Sequence, residues 1–73
     1  MNLIISDQFY ALIKSALHDA DLLARRGDIA AADAMVRSCA KHGATRADIL
    51  ANTTPAARRK LRAYAKKMEQ TRT

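Results

Sequence analysis

The side chains of this chain of 73 residues best suited to nucleophilic or metal-binding chemistry are one thiol, Cys39, and two imidazoles, His18 and His42. A thiol nucleophile needs a base within hydrogen-bond reach and a pocket that holds substrate. A zinc site needs Cys and His ligands at short, fixed spacings, and these three residues share no such spacing. His18 stands beside Asp19 and Asp21 and reads as part of a solvated polar face. His42 falls where a helix should end. Cys39 falls on an apolar stripe, where a buried cysteine acts as an inert filler. The sequence has no glycine-rich phosphate loop and no nucleophile elbow. The expectation is no catalytic residue, no bound metal and no cofactor. A single cysteine excludes an intramolecular disulfide and suits a reducing cytosol.

Charge is the stronger signal. From Met1 to Gly43, five acids and five bases cancel. From Ala44 onward, eight bases face two acids, so the whole net charge of +6 lies in the last 30 residues. Seven of those bases form the candidate contact set: Arg46, Arg58, Arg59, Lys60, Arg62, Lys66 and Lys67. A solvated helix face usually mixes signs, but no acid follows Asp48 until Glu69. Such density can neutralise phosphates and release counterions, or meet an acidic protein surface.

The elements that would position these residues are helices. Alanine, leucine, lysine and arginine are strong helix formers, while only two glycines and one proline interrupt the chain. Leu3, Ile4 and Ile5 read as a short extended arm, since β-branched neighbours favour β conformations. Ser6 then reads as an N-cap. A first helix is expected from Asp7 to about Arg26, with one stripe of Phe9, Leu12, Ile13, Ala16, Leu17, Ala20 and Leu23. Gly27 would close it and Asp28 would cap a second helix, Ile29 to His42, whose apolar face is Ile29, Ala32, Val36, Cys39 and Ala40. A short third helix follows, capped by Thr45 with Asp48 three residues on and carrying Ile49 and Leu50. Thr54 caps the fourth helix and Pro55 opens it; Ala57, Leu61, Tyr64, Ala65 and Met68 point inward, and the last residues, from Gln70, form a frayed tail. The fold class expected is all-α, a single small domain built as a compact bundle of three to four helices with a short extended N-terminal arm. No apolar run approaches the roughly 20 residues of a membrane span, and the start of the chain has no signal-peptide pattern. No membrane contact and a cytoplasmic location are therefore expected.

Two resemblances bear on function. The segment Gly43 to Asn52, followed by the proline-led basic helix, resembles a helix-turn-helix motif, in which the second helix enters a DNA major groove. It departs from that pattern at three places: Leu50 stands where a small residue is usual, Thr54 where glycine is usual, and Thr53 where an apolar residue is usual. The basic helix also offers no Asn or Gln for reading adenine.

The second resemblance spans the chain. The arm Met1-Asn2-Leu3-Ile4-Ile5-Ser6-Asp7-Gln8, the overall length and the helix Thr54-Pro55-Ala56-Ala57-Arg58-Arg59-Lys60-Leu61 resemble the small RNA polymerase-binding transcription regulators of Xanthomonas lytic phages. That resemblance implies a protein that binds the β and β′ subunits of the host bacterial RNA polymerase, inhibits initiation by displacing the σ factor and promotes antitermination at intrinsic terminators. It would make the arm and first helix (Leu3, Ile4, Ile5, Phe9 and Tyr10) the polymerase-docking candidates, with the basic half near DNA or RNA backbone or an acidic polymerase surface. It would also place the protein in the host bacterial cytoplasm. The alternatives are a repressor-like helix-turn-helix DNA binder and a helical adaptor for another acidic protein.

Overall fold

A computed structural model describes the backbone of residues 7–72 and the side chains of residues 8–71. The arm residues Leu3, Ile4 and Ile5, and Ser6 as N-cap, lie outside the described residues. Four helices follow in order: α1 (Asp7–Arg26), α2 (Ile29–Lys41), α3 (Arg46–Asn52) and α4 (Pro55–Arg72). The fold is an all-α bundle.

Two glycines turn the chain in the same way. Gly27 and Gly43 both have positive φ, 98° and 111°. Each follows a helix, where the left-handed conformation is open to a residue without Cβ. The Asp28 amide donates to the Leu23 carbonyl at 2.9 Å, and the Ala44 amide to the Cys39 carbonyl at 2.9 Å. Carbonyls in the last turns of α1 and α2 thereby gain partners from beyond the helix ends. Asp28 occupies the N-cap position of α2, but its side chain makes no capping bond; only its carbonyl enters the helix, accepting from Ala32 at 3.1 Å. α2 ends at Lys41, one residue short of the expected His42, which stands just beyond it as the C-cap. The His42 Nδ1 lies 2.8 Å from the Ser38 carbonyl.

α3 is short, and its capping box is complete. Thr45 Oγ1 accepts from the Asp48 amide at 3.1 Å, and Asp48 Oδ2 accepts from the Thr45 amide at 2.8 Å. Thr53 ends the helix with its hydroxyl donating to the Ile49 carbonyl at 2.5 Å. α4 continues through Gln70 to Arg72, where the sequence predicts fraying, and Thr71 Oγ1 donates to the Met68 carbonyl at 2.9 Å.

The core has two parts. Ala20, Ala24, Ala32 and Ala57 are fully buried together, and Leu23, Ile29, Met35, Val36 and Leu61 pack around them. Alanines at a crossing let helix backbones approach closely, so α1, α2 and α4 meet here. The second part is Ile13, Leu17 and Cys39, covered by Phe9, Ala16, Val36, Ala44 and Ile49. Val36 joins the two.

Several residues assigned to apolar faces lie elsewhere. Leu12 is 67% exposed, because the stripe of α1 that meets α2 runs through Ile13, Leu17, Ala20 and Ala24. Ala40 on α2 is exposed. Ala65 and Met68 are exposed too, Met68 at the rim of a hollow that it shares with Asp33 and Arg37 of α2.

Candidate binding surface

α4 is fixed at its start by a carboxylate from α1. Asp21 is 5% exposed. Its Oδ1 accepts from the amide and the hydroxyl of Thr54, both at 2.7 Å, and its Oδ2 accepts from Arg25 Nε at 3.0 Å. Thr54 Oγ1 in turn accepts from the Ala57 amide at 3.3 Å, which is the N-cap bond. Burial alone would raise the Asp21 carboxyl. The two Thr54 donors and the Arg25 charge outweigh it and hold the group below the usual carboxylate range. A negative charge here also favours the α4 dipole. The sequence reading left Asp21 on a solvated face with His18. The missed signal was its position: four residues after Leu17 and three before Ala24, it sits on the edge of the buried stripe.

Arg58 ties α4 to α3. Its Nη1 donates to the Leu50 carbonyl at 3.2 Å, to the Thr53 hydroxyl at 3.2 Å and to the Thr53 carbonyl. It satisfies the open carbonyls at the end of α3. The guanidinium is half-buried and engaged inside the molecule.

The other cations of α4 are exposed: Arg59, Lys60, Arg62, Lys66 and Lys67. At about 100° per residue, Arg59, Arg62 and Lys66 fall within roughly 60° of one another, opposite Ala57 and Leu61. These three make the outward strip. Lys60 and Lys67 stand on the flank toward α1 and α2, beside a shallow hollow of about 390 Å³ with Gly27, Ile29 and Tyr64. Arg46 is exposed at the start of α3 and faces Arg58 and Arg62 across a groove between α2, α3 and α4. The seven cations thus occupy a broad arc around α4 and the start of α3, with three of them aligned.

The docking candidates of α1 are engaged with the rest of the molecule. Phe9 is half-buried, packed on the Ile13–Leu17–Cys39 cluster, with its ring edge-on to His42 at 6.1 Å. Tyr10 donates its hydroxyl to Asp48 Oδ1 at 2.5 Å, joining α1 to α3, and Lys14 Nζ lies 5.0 Å from the centre of its ring. That hydrogen bond raises the Tyr10 hydroxyl above its ordinary range. The Thr45 amide, followed by Tyr10, lowers Asp48.

Cys39 is buried, and burial raises its thiol; the Sγ approaches the Ile13 carbonyl at 3.9 Å. Among the described residues no group of three or more His, Cys, Asp or Glu could hold a metal ion. None of the described helices is long and apolar enough to cross a membrane. The surface carries cations on its outside and aliphatic side chains in the hollows beside them. Compared with protein-family models, curated proteins and solved structures, the chain matches none.

Proposed function

We propose that this chain is a non-catalytic transcription regulator of the phage type. It binds bacterial RNA polymerase through the β and β′ subunits, inhibits initiation by displacing the σ factor and promotes antitermination at intrinsic terminators. The observation that carries the binding reading is the lopsided last helix. α4 sets Arg59, Arg62 and Lys66 on its outward side, while every acid of α1 and α2 is balanced by a base within the first 43 residues. A surface so arranged recognises a polyanion or an acidic protein face. Polymerase as the partner rests on the resemblance of the N-terminal arm and the basic helix to the phage regulators.

The helix-turn-helix reading gains the order α3, turn, α4, and loses ground at the start of α4. Recognition helices place their N-terminal residues on base edges. Here the first turn of α4 faces Asp21, and Arg58 is bound to carbonyls of Leu50 and Thr53.

The test is a binding assay with purified bacterial RNA polymerase, with 30-mer duplex DNA as competitor across a salt series. Expected are a stable complex with polymerase, loss of σ from holoenzyme and read-through of an intrinsic terminator in a run-off reaction. Polymerase left unbound while duplex DNA is held tightly, with steep salt dependence, would give the helix-turn-helix reading its place.

A further inference from the structure

The groove between α2, α3 and α4 joins an aliphatic floor to a cationic rim, a combination that the outward strip lacks. Its floor is aliphatic, made by Val36, Ala40, Ala44, Ile49 and Leu61, and it has a volume of about 370 Å³. Leu50 stands at its edge, 48% exposed. Three arginines border that floor, Arg46 from α3 and Arg58 and Arg62 from α4, and no acidic side chain lines it. Arg46 and Arg62 make no ion pair among the described residues. Arg58 is pinned by carbonyls of Leu50 and Thr53, which fixes its charge at the rim.

Charge complementarity selects the occupant. Phosphates would satisfy the arginines and leave the aliphatic floor with nothing apolar to cover it. An apolar helix would cover the floor and leave the arginines facing its own uncharged surface. A helix bearing leucine-like residues three and four apart, with carboxylates on the neighbouring positions, meets both demands. We infer that this groove is a docking site for an acidic amphipathic α-helix of a partner protein. The partner's apolar side chains lie on Val36, Ile49, Leu50 and Leu61, and its carboxylates reach Arg46 and Arg62. This goes beyond polymerase binding: it requires a protein partner of this chemistry, whichever protein supplies it.

The test uses the full chain and a displayed library of randomised helical peptides about four turns long. The enriched peptides should pair Leu, Ile or Phe with Asp or Glu. By fluorescence anisotropy, Leu50→Ser should weaken the best of them about tenfold, and Arg46→Glu with Arg62→Glu further still. Arg46→Gln with Arg62→Gln should give a smaller loss and a weaker salt dependence, and circular dichroism should report the same fold for each variant. Enrichment of basic or uncharged peptides, or of none, overturns the inference. So does equal binding by the Leu50→Ser chain. Two further outcomes also overturn it: duplex DNA that binds through Leu50, and self-association of the chain that Leu50→Ser abolishes. A chain that captures acidic peptides but not polymerase would keep this inference and remove the proposed function.

Discussion

The two ends of α4 live under different rules. Its first half is built into the bundle: Thr54 is held by Asp21, Ala57 is fully buried among alanines, and Leu61 packs against the same cluster. From Ala65 to Thr71 every residue is exposed. The near half is held by tertiary contacts, which supply most helical stability in proteins. The far half relies on continuation of a helix already started, and its Ala, Lys, Met, Glu and Gln are good helix formers. The lesson concerns where charge can be put. Lys66 and Lys67 sit where nothing in the bundle competes for them, and Arg58 sits where α3 claims it.

Substitutions at matched positions should separate the halves. The largest expected effect is Ala57→Leu, which forces side-chain volume into the alanine crossing and should cost about 3 kcal/mol in urea unfolding. Ala65→Leu, the same change on the same helix, should stay within about 0.5 kcal/mol. Equal costs would abolish the distinction. Next comes Asp21→Asn, which weakens hydrogen bonds to a buried charge and should cost about 2 kcal/mol at neutral pH. Its pH dependence sharpens the point. Asp21 has a lowered carboxyl in the folded protein, so its stabilisation is complete above the unfolded-state value and is lost as pH falls through the folded one. The gap between the parent chain and Asp21→Asn should therefore narrow in acid, as followed by thermal melts from pH 6 downward. A gap that widens in acid would mean that the carboxylate is not what holds α4.

Smaller is Thr54→Val, which keeps the shape, loses the cap and should cost about 1 kcal/mol. Thr71→Val, at the other end, should be nearly silent. The smallest expected effect is Met68→Ala, within about 0.5 kcal/mol, with hydrogen exchange unchanged at Leu61 and faster only in the last turns.

Much of this arrangement was legible in the sequence, because its signals are local. The two glycines, Thr45 with Asp48, and Thr54 with Pro55 mark helix ends through bonds within a few residues, and the helix limits follow from them. The alanine core was only partly legible: Ala20, Ala32 and Ala57 lay on the expected stripes, while Ala24, Leu12, Ala40 and Ala65 required knowing which helix lies opposite. Asp21 was missed because its partner is 33 positions away, beyond any local pattern. The aligned strip of Arg59, Arg62 and Lys66 follows from helical spacing, whereas the spending of Arg58 on α3 and the facing of Arg46 and Arg62 across a groove depend on how α3 folds back.

The cancelled charges of the first two helices have an effect at a distance. Arg25 is paired with Asp21 and Arg37 with Asp33, each within one helix. Acids and bases also balance up to Gly43, so little net field leaves that side of the molecule. The excess positive charge comes from the last 30 residues, which gives the protein an electric polarity. Near a polyanion it should turn before it touches, presenting the last helix first. Added salt should then slow its arrival more than it shortens its stay.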